Sequence, residues 1–313
     1  MATYNLYLGA DLGLVLGVED PEELPSRLGE VMRQLGVTSF GGRAGAIARV
    51  LVEQDLDVAG LQEVCTWRFD GEVVADFRQE LLAALEELGE PFEAVCEVAT
   101  FSGAGHVDGP AGEHLVEITG SNLLLRRVGS TVSAVDGGSG LFADALRLEA
   151  LGGTTVTIAR GWCAARCEVD GHEVVVVDTH TEAYDAGSRD AQRDELLAAV
   201  DSVAGDAAVV LLGDFNATPE QVGLPEAYVD AWSGAAARPD LEGVVEGGVE
   251  GATCGQRPDL ANERSELTHR IDYVWVRGAE VRAAARAGHR EQDRTEGGLW
   301  PSDHAAVVAE LVL

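Results

Sequence analysis

The 313 residues carry a formal net charge of −32, and every basic side chain is an arginine, since lysine is absent. A hydrophobic content of 46% on this length supports a substantial core, and no apolar run reaches the length of a membrane span. Acidity on this scale leaves no basic face for a sequence-independent grip on nucleic acid beyond Arg126-Arg127, although counterion release gives little binding energy in molar salt.

The acid-rich, all-arginine composition resembles that of proteins from organisms that keep molar salt in the cytoplasm, where a Debye length of about 3 Å at 1 M screens self-repulsion. A GC-rich genome favouring arginine codons is the competing explanation. The chain opens on a strand without a basic-then-apolar leader, so a cytoplasmic address is the default expectation. The five cysteines are odd in number and scattered. On one strand Cys163 and Cys167 would stand about 13 Å apart, too far for a disulfide, so buried free thiols are expected.

In chain order, period-2 and continuous apolar runs predict strands at 2–8, 57–62, 92–99, 121–127, 154–160, 162–169, 173–179, 207–213, 271–277 and 305–312. Helical spacing of apolar residues appears from Arg43 to Gln54, from Asp76 to Leu88 and from Ser188 to Val203. Residues 100–119 and 233–262 read as surface insertions, the class of segment that commonly sets specificity. Runs of consecutive strands argue against a simple βαβ repeat, and two stacked, largely antiparallel sheets flanked by helices fit the pattern. No linker divides the chain, so residues 1–313 are expected to form one domain.

Polar groups recur at the strand ends. Asn5 lies within the first strand, and Asp57-Val58-Ala59-Gly60-Leu61 ends in Gln62-Glu63. Val174-Val175-Val176-Val177 runs into Asp178-Thr179-His180, and Ala207 to Leu212 into Gly213-Asp214-Phe215-Asn216. Arg270-Ile271-Asp272-Tyr273 opens a strand, and Ser302-Asp303-His304 stands just before the last one. Asp214 and Asn216, two apart on a backbone still near-extended, would point to one side. A carboxylate that accepts protons or binds a hard cation, beside an amide that donates to an oxyanion, suits hydrolysis at phosphorus.

The ordered set Asn5, Gln62-Glu63, Thr179-His180, Gly213-Asp214-Phe215-Asn216, Arg270-Ile271-Asp272-Tyr273 and Ser302-Asp303-His304 resembles the endonuclease/exonuclease/phosphatase superfamily, over nearly the whole chain. Asn5 to Asp11 and Arg160-Gly161-Trp162 look like a bacterial or archaeal branch of undefined substrate. The resemblance implies a four-layer α/β/β/α sandwich of the deoxyribonuclease I type. It also implies a metal-dependent phosphoesterase acting by in-line attack of an activated water.

Magnesium suits such a site because it prefers oxygen ligands and keeps several waters, with manganese as the alternative. Glu63 is the first ligand expected, with Asn5 directly or through water, and Asp303 third. Asp214 is expected to polarise the attacking water or hold a second metal, and Asn216 to donate to the phosphate. Asp272 would orient His304, which acts as general base or phosphate binder, while His180 donates to a phosphate oxygen or the leaving group. Asn122 and Arg160 are candidate substrate contacts, although Arg160 could equally pair with surface acids. His106 and His114 read as loop residues, His172 as part of a hairpin turn, and His269 as a neighbour of the site.

Family members often have Asn-Thr-His-Leu where this chain has Asp178-Thr179-His180-Thr181, which puts close transfer of substrate preference in doubt. A nuclease is the alternative within the class, although aromatics make up only 5% of the chain. Outside the class, a non-catalytic protein keeping the fold as a scaffold would have lost one or more polar positions, and none is lost. A doubly wound nucleotide binder lacks its glycine-rich loop here.

Overall fold

The computed structural model describes residues 1–16, 18, 20–109, 112–150, 154–234 and 248–313. In order the chain forms β1 (Ala2–Asn5), α1 (Gly13–Leu16), α2 (Leu24–Val37), α3 (Phe40–Glu53), β2 (Val58–Phe69), β3 (Glu72–Asp76), α4 (Phe77–Glu87), β4 (Phe92–Gly109) and β5 (Gly112–Arg127). It continues through β6 (Ser133–Leu141), β7 (Leu146–Ala150), β8 (Thr154–Ile158), β9 (Gly161–Val169), β10 (His172–His180) and α5 (Ala186–Ala204). The last elements are β11 (Ala208–Asp214), α6 (Pro219–Val222), β12 (Val229–Asp230), α7 (Ala231–Gly234), β13 (Asp272–Arg277), β14 (Glu280–Ala287) and β15 (Ala306–Val312).

Two mixed sheets stack face to face. One runs β14-β15-β1-β2-β5-β4 with β3 beside β2, the other β12-β13-β11-β10-β9-β6, and β7-β8 pair separately. The β1–β2 and β10–β11 pairs are parallel, and the other pairings are antiparallel. This is the expected sandwich.

The valine and leucine runs explain the layering. Along β10, Val174 and Val176 pack between the sheets, while Val175 and Val177 pack outward under α5 with Leu196 and Val200. In β11 the split is the same, Val210 and Leu212 inward and Val209 and Leu211 outward. In β5, Leu124 faces the second sheet, and Leu123 and Leu125 face α3 and α4. Strands covered on both faces need apolar residues at every position, which is why these runs do not alternate. Asp76 and Asp185 cap α4 and α5 by accepting the Gln79 and Ser188 N–H groups.

Three sequence expectations change. The first strand stops at Asn5 rather than residue 8, because Tyr7 takes a left-handed backbone with φ 58°. Residues 100–119 are no surface insertion: apart from 110–111, which lie outside the described residues, they extend β4 and β5 as a paired hairpin holding His106 and His114. The glycines there suggested a loop, but Val107, Val116 and Ile118 are buried against the core that holds Leu28. Of 233–262, residues 235–247 lie outside the described residues, whereas Ala252, Thr253 and Leu260 are fully buried, and Cys254 bridges both His269 and His304.

α2, β3, β6, β7, β12 and β14 had no expectation. Pro25, Gly29 and Gly36 dilute the signal of α2. Exposed, glycine-rich β6 and alanine-rich β14 are edge strands without a two-sided core. The five cysteines are free, with Cys65, Cys163 and Cys167 buried.

Candidate active site

The parity that sends valines between the sheets continues to the strand ends and there delivers polar groups. In β10 the inward series 174, 176 runs on to Asp178 and His180; in β11, 210 and 212 run on to Asp214. In β13, Asp272 precedes inward Val274 and Val276. Register aligns them, since His180 pairs with Asp214 and Asp214 with Asp272. From the other sheet, Asn5 donates its Nδ2–H to Asp214 Oδ2 at 3.1 Å.

Asp214, Asp272 and His304 offer ligand-type atoms all within 4.8 Å of one another, and all three are buried. His304 Nδ1 lies 2.8 Å from Asp272 Oδ2, which places the ring proton on Nδ1. Its Nε2 lies 3.9 Å from both Asp214 Oδ2 and Asp303 Oδ1. Burial opposes a charge on His304, but the carboxylate of Asp272, with Cys254 and Asp303, outweighs it and raises the imidazole well above its ordinary value. Asp214 moves up as well, through burial and then through repulsion from Asp272, against the opposing pull of His304. Two backbone devices fix this corner. Thr253 Oγ1 accepts the Ile271 and Asp272 N–H groups, and Ser302 Oγ accepts the His304 N–H while donating to the Asn5 carbonyl at 2.6 Å.

Asn216 reaches the site by a different route from the one expected. Its φ of 47° turns the chain back, so it does not continue an extended strand, and its N–H donates to Asp214 Oδ1 at 2.9 Å. Its side-chain Nδ2 donates to the Thr181 carbonyl and lies 3.0 Å from His180 Nε2. Arg160 does not pair with surface acids. It is buried, with Nη1 3.1 Å from His180 Nδ1 and Nε 3.8 Å from Glu182 Oε2. Both ring nitrogens thus face donors, Nδ1 the Arg160 guanidinium and Nε2 the Asn216 amide, and a neutral ring accepts from only one of them; Nε2 also lies 3.6 Å from Asp214 Oδ2. Burial, then Arg160 and His304, push His180 well below its ordinary value, so the ring is neutral. Asn122 is buried with its Nδ2–H on the Gly161 carbonyl, the residue paired with His180.

Glu63 sits where the β2–β5 register slips between Leu61 and Val64, with φ 56°. The bulge turns its carboxylate to accept the Leu8 N–H at 2.7 Å. Asp303 is partly exposed, and burial of its surroundings together with the charge of Glu63 lifts it to about 6, against the pull of His304 and Arg43. Two carboxylates close enough to repel are donors of the kind a hard divalent cation prefers, while the Asn5 amide oxygen accepts the Tyr7 N–H at 3.0 Å. The compact Asp214–Asp272–His304 set is instead closed by its own hydrogen bond, although the buried Asp272 Oδ1 has no partner.

Several residues of the site carried no sequence signal that was used. Arg43 is fully buried in α3 and donates to the carbonyls of Thr38, Leu6, Tyr7 and Pro301, tying the first strand to the segment before Asp303. Its place on the stripe of Ile47 and Val50, at helical spacing, was the available clue. Gln62 points away from the cluster, bonding Thr3 and Asp178, and Glu182 holds Arg160. His269 is placed by its pairing with Cys254.

No curated protein matches the chain. Solved structures do. The endonuclease/exonuclease/phosphatase from Bacteroides vulgatus is 19% identical with TM-score 0.61, over 100% of this chain and 97% of that one. The Bacteroides thetaiotaomicron mannosyl-6-phosphatase is 18% identical with TM-score 0.58, over 100% and 98%. Truncated TDP2 of Caenorhabditis elegans is 18% identical with TM-score 0.55, over 88% and 92%. The sequence pattern of the Endonuclease/Exonuclease/phosphatase family matches residues 2–304. With that span and this fold, the chain belongs to the endonuclease/exonuclease/phosphatase family of phosphoester hydrolases.

Proposed function

We propose that this hydrolase is a magnesium-dependent phosphoesterase of small phosphorylated molecules, built as one catalytic domain. The observation that carries this is the meeting of Asn5, His180, Asp214, Asp272 and His304, from residue 5 to residue 304, at one end of the inter-sheet layer. Glu63 and Asp303, with Asn5, would hold the cation, which supplies charge neutralisation on the phosphoryl oxygens.

Asp214, raised by burial, is a proton acceptor suited to a water attacking in line. His304, held by Asp272, donates from Nε2 to a phosphate oxygen. His180 gives its Nε2–H to a phosphate oxygen or the departing alcohol once the Asn216 amide, which lies against Nε2, turns its N–H to the phosphate. Arg160, donating to Nδ1, favours the tautomer that makes this donation available.

A net charge of −32 disfavours a polyanionic substrate, because Arg126 and Arg127 are engaged with Glu93, Asp55, Asp57 and Glu90. Among the described residues no helix is long and apolar enough to cross a membrane. The lysine-free acidic composition suits work in a salty cytoplasm. The test is hydrolysis of a phosphodiester dye, sugar phosphates, lipid headgroups and DNA in high salt. Release of product with magnesium, abolished by EDTA, is expected for a small substrate. Preferred cleavage of DNA would give the nuclease alternative, and no hydrolysis with any divalent ion would sink the enzymatic reading.

A further inference from the structure

Of the chain's seven phenylalanines, five tryptophans and five tyrosines, Tyr184 alone stands exposed, at 64% of its surface. Its four fellow tyrosines are buried, and three of them place their hydroxyls elsewhere: Tyr7 on the Pro258 carbonyl, Tyr273 on Ala217 and Arg270, Tyr4 inside the core. An exposed aromatic of this size, on a protein that otherwise covers its rings, is a recognition feature before it is a structural one.

Its position is beside the site. Tyr184 follows His180 by four residues, on the turn between β10 and α5. Burial raises its phenol, and the charges of Arg160, Glu63, Asp11 and Glu182 act on it from around the turn and from β2. The turn is firmly held. Thr181 N–H donates to the Asp214 carbonyl, and Thr181 Oγ1 to that of Phe215 at 2.6 Å. Glu182 N–H donates to Gln192, and Arg189 donates to the carbonyls of Glu182 and Ala183.

One carboxylate links this ring to the phosphate-binding groups. Glu182 is fully buried; its Oε1 accepts the Tyr184 N–H at 2.9 Å, and its Oε2 faces Arg160, whose Nη1 lies 3.1 Å from His180 Nδ1. The backbone that presents the ring and the donors expected to grip the phosphate therefore share an anchor. A ring so placed can lie against whatever is esterified to the phosphate. The carboxylates around it accept hydrogen bonds and repel further phosphates, which suits a polyhydroxylated ring with a single phosphate.

We propose that Tyr184 is a specificity residue that packs its face against the ring of a monophosphorylated sugar whose phosphate sits at the His180–Asp214–His304 cluster. This rests on the phosphoesterase reading above and names its substrate class.

The test compares a hexose phosphate with ring-free glycerol phosphate, in magnesium and high salt. It uses the wild type, Tyr184→Phe and Tyr184→Ala, with inorganic phosphate inhibition measured on each. Burying one apolar face of a sugar ring against a phenol is worth on the order of tenfold in binding. Tyr184→Ala should therefore lower the hexose-to-glycerol ratio of kcat/KM about tenfold, mainly through the hexose KM. Tyr184→Phe should keep most of that ratio, and phosphate inhibition should hold across all three proteins. An equal loss on both substrates, or no change in the ratio, overturns the role of Tyr184. A wild type that cleaves glycerol phosphate or the phosphodiester dye but no sugar phosphate overturns the substrate class and leaves the phosphoesterase standing. A wild type that cleaves nothing overturns both.

Discussion

The layer between the sheets contains two polar groups of residues whose carboxylates burial raises alike, and which differ in the charge set against that rise. At the strand ends, Asp214, Asp272, Asp303 and His304 lie among donors from both sheets, and the negative charges face a histidine that their own field keeps protonated. Further in, Thr3, Gln62 and Asp178 form a smaller network. Asp178 is fully buried, with one oxygen on the Gln62 Nε2–H at 2.5 Å and the other without a partner. Among the described residues no cationic side chain bonds it, and burial raises its carboxyl well above the ordinary range. Opposite it sits Gly60, where an added Cβ would stand 2.5 Å from Asp178 Oδ1. The comparison teaches that depth alone does not fix the protonation of a buried carboxylate. Compensating charge limits it: His304 pulls back the rise that burial imposes on Asp214 and Asp303, and among the described residues Asp178 has no such partner.

The largest expected effects come from breaking the charged cluster. His304→Ala and Asp214→Asn should each lower kcat by about 100- to 10,000-fold, the range for loss of a general acid or base, while the fold is kept. Asp272→Asn should act through His304 and shift the pH profile of kcat as well as its height, because Asp272 favours the charged imidazole. Circular dichroism and steady-state kinetics check both, and wild-type rates in all three variants would remove the cluster from the chemistry. Next in size is Glu63→Gln. It should leave the bulge intact and raise the magnesium concentration for half-maximal activity by about tenfold or more, as for weakened metal sites in general. An unchanged metal requirement would place the cation elsewhere, with the unpartnered Asp272 Oδ1 the first alternative.

The two groups of residues were not equally legible in the sequence. Asp214, His180 and His304 announce themselves because each ends or opens an apolar run, and a strand buried on both faces makes its first polar residue conspicuous. The long hairpin of β4 and β5 was hidden by its glycines, and α2 by Pro25 and its two glycines. The route of Asn216 needed a left-handed backbone that an extended reading does not contain, and the bulge at Glu63 is set by pairing with Ser121 and Leu123 of β5, far beyond where any local rule looks. Arg43 and Glu182 were passed over because charged residues on helix and turn are ordinarily solvated. Asp178 was noticed as a departure, but its burial against Gly60 is a relation between sheets that no single strand reveals.

That departure supplies the smallest and most discriminating effect. An unfolded aspartate titrates near pH 3.9, whereas Asp178 in the fold keeps its proton to higher pH. Above about pH 4 the unfolded chain has therefore released a proton that the native protein still holds, and stability falls as pH rises until the folded group itself ionises. Asp178→Asn keeps the size of the side chain and an oxygen for the Gln62 Nε2–H, and it has no proton to lose. The variant should match the wild type near pH 4 and exceed it by about 1–3 kcal/mol at pH 7, the scale of a single buried polar mismatch. Thermal melts of both proteins across pH at one fixed salt concentration measure this difference directly. Parallel curves would mean that Asp178 is ionised in the native protein and that its charge is compensated after all. The contrast with the cluster at the strand ends would then be one of place within the layer rather than of charge.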